Sequence, residues 1–114
     1  MTDAKDAELA GFEERFLEVP GGRLRYLAAG TGEPMLLVHG LGGAAASWLA
    51  LAPLLLPGRR LLAPELPGHG GSSPPPAAPS LNAYADPLAA LLQREAAAPA
   101  AVVGHSLGGA VALR

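Results

Sequence analysis

The 114 residues predict an α/β chain, an antiparallel hairpin leading into a mostly parallel sheet with flanking helices. Three observations carry that expectation. Residues 12–19 and 23–29 partly alternate apolar with polar around Pro20-Gly21-Gly22, the pattern of two strands joined by a turn. Short strand candidates at 35–38, 60–63 and 101–103, apolar but for Arg60, are bounded by turn residues, as strands covered on both faces are. Helix-forming stretches separate these runs, and right-handed strand–helix–strand connections give parallel neighbours.

Composition sets the outer limits. With 50% hydrophobic residues, a chain of this length can bury one core, and two domains are not expected. A net charge of -2, with 16% charged residues and no basic cluster, excludes an obvious nucleic-acid or anionic-membrane surface. The absence of cysteine removes disulfides, thiolate metal sites and a cysteine nucleophile, and no metal or organic cofactor is indicated. Residues 1–11 are polar and mixed in charge, without the basic start and apolar run of a signal peptide. They read as a flexible lead-in, with a cytoplasmic location as the expectation. The most apolar stretch, 44–56, is shorter than a membrane span and is interrupted by Pro53, so burial in protein is expected.

After the hairpin, Gly30-Thr31-Gly32-Glu33-Pro34 forms a turn into the strand at 35–38, which ends in His39-Gly40-Leu41-Gly42-Gly43. Ser47 can cap a short helix reaching about Leu51, with Pro53 disturbing its far end. The strand at 60–63 feeds a loop, Pro64-Glu65-Leu66-Pro67-Gly68-His69-Gly70-Gly71-Ser72-Ser73, and the proline-rich 74–79 excludes long regular structure. Asp86-Pro87 predicts a helix start, giving a helix over 87–97 with Leu88, Leu91 and Leu92 on one face and Pro99 beyond its end.

The next stretch carries the chemistry. Residues 101–112 read as a short strand, an abrupt turn with Ser106 at its apex, and a helix start. Such a nucleophile elbow needs small neighbours, supplied by Gly104 and Gly108, and projects the serine hydroxyl above the sheet edge. The N–H groups at the start of the following helix face the place where negative charge develops during attack on a carbonyl.

In order and spacing, the strand ending His39-Gly40, the loop from Pro67 to Ser72, and Gly104-His105-Ser106-Leu107-Gly108-Gly109 resemble the α/β-hydrolase superfamily in its serine-nucleophile branch. The resemblance covers 12–114 as the N-terminal portion of one such domain. It implies Ser106 as nucleophile, with the backbone N–H groups of Leu41 and Leu107 as oxyanion donors. His39 and Gly40 support the first donor, and Gly104, His105 and Gly108 shape the elbow.

None of the three histidines is a convincing general base. His39 is expected to orient the oxyanion loop by hydrogen bonding, His69 to be a turn residue, and His105 to leave the strand away from the serine hydroxyl. Glu65 stands where the family commonly has aspartate, and reads as a surface or loop-bracing charge. Trp48 reads as a core residue, with substrate contact left open by its nearness to the oxyanion loop.

The family's triad runs serine, acid, histidine, yet neither acid nor histidine follows Ser106 within residues 107–114. The expectation is the N-terminal portion of an esterase- or lipase-like acyl hydrolase, acting on a small acyl substrate, whose acid and histidine lie further on. Serine at the elbow argues against branches resembling epoxide hydrolases and dehalogenases, which place aspartate there. Amide or carbon–carbon bond hydrolysis, acyl transfer and haloperoxidase-type activity stay open, as does oligomeric state. The alternatives are a non-catalytic binding protein on the same fold, or an inactive fragment. An exposed apolar edge at Val102 and Val103 is also expected to leave the 114-residue chain poorly stable alone. Sedimentation with chemical unfolding checks this, and a monomer that unfolds cooperatively would contradict it.

Overall fold

The computed structural model describes residues 11–19, 22–40, 48, 51–69, 71–73, 81–95 and 101–104. The described elements run β1 (Glu13–Val19), β2 (Gly22–Gly30), β3 (Glu33–Val38), α1 (Ala52–Leu55), β4 (Arg59–Pro64), α2 (Leu81–Arg94) and β5 (Ala101–Gly104). The strands form one sheet in the order β1-β2-β4-β3-β5. β2 is antiparallel to both β1 and β4, whereas β3 is parallel to β4 on one side and to β5 on the other. Among the described strands, β2 alone therefore runs against the rest, which is the expected hairpin feeding a parallel core.

Alternation along the strands separates two apolar layers. Leu24, Tyr26 and Ala28 of β2, Leu36 and Val38 of β3, and Leu62 of β4 pack with Leu88 and Leu91 of α2. The intervening residues Leu27, Ala29, Leu37, Leu61 and Ala63 face the other way and pack with Phe12, Trp48 and Ala52. Strands β2, β3 and β4 are thus apolar at both parities because both of their faces are covered. The chain crosses from β3 to β4 on the Trp48 side, then returns over β3 to β5 on the α2 side. Two right-handed crossovers made in opposite directions place their helices on opposite faces.

The turn between β2 and β3 depends on glycine. Gly30 and Gly32 adopt φ of +80° and +118°, and a Cβ at either would meet the carbonyl oxygen of Arg59 or Gly58, respectively.

The expected helix from Ser47 to about Leu51 falls largely outside the described residues, since Ser47, Leu49 and Ala50 do, and Pro53 stands in the first turn of α1. A first-turn proline loses nothing, since its missing N–H would have had no intrahelical partner. Helix α2 starts at Leu81 and runs through Pro87, where the sequence predicts its start. An interior proline costs about 3 kcal/mol, but burial of Leu88 and Leu91 contributes about 1.5–3 kcal/mol each. Tyr84, Ala85 and Leu92 extend the same face against the sheet, so packing outweighs the lost backbone bond. Residues 96 and 97, the expected helix end, lie outside the described residues.

Glu95, directly after α2, fastens the helix end to the hairpin. Arg15 Nη1 donates to both of its carboxylate oxygens at 2.9 and 3.0 Å, Tyr26 Oη donates to Oε2, and Arg60 Nη2 donates to its main-chain oxygen at 2.6 Å. Burial alone would raise the Glu95 pKa, yet the Tyr26 and Arg15 hydrogen bonds and the Arg15 charge hold it below its ordinary value. Burial, reinforced by the bond to Glu95, pushes Tyr26 up to about 12.

β5 forms an edge of the sheet among the described strands, with Val102 41% and Val103 38% exposed. The α2 contact gives a direct test by urea unfolding. Leu91→Ala at a fully buried position is expected to cost about 2–5 kcal/mol. Leu54→Ala, at a position 76% exposed, is expected to stay within about 0.5 kcal/mol of the parent.

Candidate active site

The carboxyl ends of β3 and β4 define the candidate site. Trp48, between β3 and β4, packs on one face of the sheet, and α2, between β4 and β5, packs on the other, so the connections that follow these two strands lie on opposite faces. Open α/β sheets bind ligands at such a switch point. His39 and Gly40 follow β3, and Glu65, Leu66 and the glycine-rich loop follow β4. On the far side of β3, the parallel register sets Val38 level with Gly104, the last residue of β5.

His39 bridges the two strand ends. Its ring is buried, with Nε2 accepting the Leu66 N–H at 2.9 Å and Nδ1 lying 2.7 Å from the Gly40 carbonyl oxygen. Because Nε2 accepts, the ring proton sits on Nδ1 and is donated to Gly40, which fixes the neutral tautomer. Burial lowers the His39 pKa, with the Gly40 bond opposing the shift. A ring engaged at both nitrogens is a bracket and has no free position with which to take a serine proton. The His69 ring stands 5.0 Å from it, centroid to centroid, and packs edge-on to Tyr84. His69 closes a tight turn, its N–H donating to Leu66 O and its carbonyl accepting from Ser72.

A polar network under the loop holds it to β2. Glu65 is fully buried, so the sequence expectation of a surface charge fails while that of a loop brace describes its contacts. Its Oε1 accepts Arg25 Nη1 at 2.9 Å and the Gly71 N–H at 2.7 Å. Its main-chain N–H donates to Arg25 O at 2.8 Å, and Arg25 Nε reaches Glu14 Oε2 at 2.7 Å. Ser72 Oγ accepts the Arg25 N–H at 2.8 Å and donates to Glu65 O at 2.7 Å. Ser73 continues the pattern, exchanging main-chain and hydroxyl bonds with Arg23. Each serine therefore completes backbone pairing that the glycine-rich chain would otherwise leave open.

Of the residues singled out in the sequence, His39, Gly40 and Gly104 stand at adjacent strand ends, whereas Leu41, His105, Ser106, Leu107 and Gly108 lie outside the described residues. Trp48 is buried beside Leu37 and Ala52 in the core. Sequence reasoning missed Arg25, which reads as an ordinary polar hairpin position. The available signal was that residues 24 and 26–29 are apolar at both parities, so an arginine among them is buried and needs a carboxylate. Among the described residues, no group of three or more His, Cys, Asp or Glu is placed to hold a metal ion. No described helix is long and apolar enough to cross a membrane.

An open mixed sheet, with an antiparallel hairpin feeding a parallel core and helices on both faces, is an α/β architecture. A family model described as alpha/beta hydrolase fold matches residues 33–114, and the chain belongs to that family. It is similar to the dihydrolipoyllysine-residue acetyltransferase component of the acetoin cleaving system of Pseudomonas putida, 42% identical over 98 residues, covering 84% of this chain and 26% of that protein. It is 44% identical over 79 residues to the pimeloyl-(acyl-carrier protein) methyl ester esterase of Aromatoleum aromaticum, covering 69% of this chain and 29% of the esterase. Epoxide hydrolase A from Mycobacterium thermoresistibile superposes with a TM-score of 0.81 at 36% identity, covering 89% of this chain and 33% of that structure. The chain thus spans between about a quarter and a third of these relatives.

The buried bracket predicts an acid response. The unfolded chain takes up a proton on this histidine near pH 6.5, while the folded state resists it to lower pH. The contribution of His39 to stability is therefore complete above pH 6.5 and is lost as the pH falls through the lowered folded value. Urea unfolding between about pH 7.5 and 5 is expected to show this loss, with a shallower dependence in His39→Gln. An identical slope in the variant would remove His39 from the acid response.

Proposed function

We propose that residues 12–114 form the N-terminal portion of a serine hydrolase domain acting on a small acyl substrate. The reading rests on the level ends of β3 and β5, from which the chain continues directly into the His39-Gly40-Leu41 and Gly104-His105-Ser106-Leu107 motifs. In this mechanism Ser106 Oγ bonds to the substrate carbonyl carbon, and its proton passes to a histidine from a later part of the protein. A carboxylate, also from later in the chain, orients that histidine. The N–H groups of Leu41 and Leu107 receive the oxyanion, the bond to the leaving group breaks as the histidine returns the proton, and water then hydrolyses the acyl-serine.

The relatives' names span an acetyltransferase component, an ester hydrolase and an epoxide hydrolase, so family membership by itself leaves the reaction open. Ser106, where the epoxide-hydrolase-like branches carry aspartate, favours acyl chemistry. Nothing in the elbow needs a metal or organic cofactor, and a cytoplasmic setting belongs to the same reading.

Fluorophosphonate labelling and p-nitrophenyl acetate turnover by the full-length protein test it. Ser106→Ala is expected to abolish labelling and to lower turnover on the order of a millionfold. The 114-residue chain alone is expected to remain unlabelled. Labelling that survives Ser106→Ala would overturn the assignment, and rapid Ser106-dependent labelling of the short chain would show that the base lies within it.

A further inference from the structure

We propose that Arg25 and Glu65 are a positioning pair for the oxyanion peptide, acting through Leu66 and His39; the proposal rests on the hydrolase reading above. Each link is a hydrogen bond or a covalent neighbour. Arg25 Nη1 holds Glu65 Oε1 at 2.9 Å inside the protein, and the same oxygen accepts the Gly71 N–H at 2.7 Å. Glu65 is also tied by its own N–H to Arg25 O at 2.8 Å, so both its backbone and its side chain are fixed to one residue of β2. The next N–H along the chain belongs to Leu66, and it is the donor that His39 Nε2 accepts at 2.9 Å. That bond leaves Nδ1 as the protonated nitrogen, directed at Gly40 O 2.7 Å away.

The last step follows from covalent geometry. The carbonyl of Gly40 and the N–H of Leu41 belong to one peptide unit, and in a planar trans peptide they point in opposite directions. Holding the carbonyl on His39 therefore sets the direction of the N–H that the hydrolase reading assigns to the oxyanion. If the Leu66 N–H shifted, His39 would lose its reason to keep the proton on Nδ1, and the carbonyl would lose its donor.

A buried ion pair is a weak source of stability, because desolvation offsets most of the attraction and an apolar pair often does as well. What it supplies here is direction. A guanidinium locked between Glu14 and Glu65 fixes the carboxylate, where leucine and methionine side chains would hold only volume. The fit is close on the loop side also, since a Cβ at Gly71 would come within 2.5 Å of Arg25 Cδ.

A double-mutant cycle in the full-length enzyme tests the relay, using p-nitrophenyl acetate with kcat and KM read separately on protein shown to be folded by circular dichroism. Glu65→Gln is expected to lower kcat about tenfold with KM within about twofold, and His39→Gln to lower kcat about a hundredfold. The combined variant is expected to be no worse than His39→Gln alone, because Glu65 acts through the histidine. Losses that multiply, or a Glu65→Gln variant with unchanged kcat, would overturn the proposal. If Glu65→Gln does not fold, Arg25→Met combined with Glu65→Leu leaves neither charge buried without its partner, and the same non-additivity with His39→Gln is required. Ser106→Ala runs alongside. Full activity in that variant overturns the hydrolase reading itself, whereas its inactivity together with multiplying losses overturns the positioning pair alone.

Discussion

The hydrogen bond from the Leu66 N–H to His39 Nε2 joins the two halves of the candidate site. It links the chain just beyond β3 to the chain just beyond β4, past the last paired residues of the two strands. The strands themselves stop short of this point, their register closing at Leu36 opposite Leu62. Beyond it, the described loop residues 65–69 and 71–73 are held by directed polar contacts. A buried imidazole suits that role because it carries one donor and one acceptor at a fixed separation.

Beneath the site, the sheet provides stiffness at modest cost. Three adjacent strands, β2, β4 and β3, are covered on both faces, so close packing holds them from either side. The burial that produces this rigidity also dictates the polar network. Arg25 lies in the same covered strand as Leu24, Tyr26 and Leu27, and a charge there requires Glu65, which in turn determines how the loop after β4 must lie. At the opposite end of α2, Glu95 serves a comparable purpose for the helix, converting a hairpin arginine and a buried phenol into an anchor.

Much of the architecture was legible in the sequence because the strands carry their own signals. Continuous apolar runs announced β3 and β4, the alternating pair around Pro20-Gly21-Gly22 announced the hairpin, and the Leu88, Leu91 and Leu92 spacing announced the buried face of α2. The helix start at Leu81 was not legible. Local chemistry at Asp86-Pro87 favours a boundary, and only the apolar surface offered by β2, β3 and β4 makes a helix through that proline the better solution.

The sequence by itself determined the class of fold, the family and the order of the motif-bearing turns, since periodicity and glycine placement are local properties that neighbouring residues enforce. Tertiary structure alone decided the partners: Arg25 with Glu65 across 40 positions, Leu66 with His39 across 27, and Arg15 with Glu95 across 80. Pairings of that kind follow from strand order and crossover direction, which bring distant segments to one end of the sheet. Burial then converts proximity into obligation, because a charge or an imidazole removed from water must find its complement among whatever the fold has placed beside it.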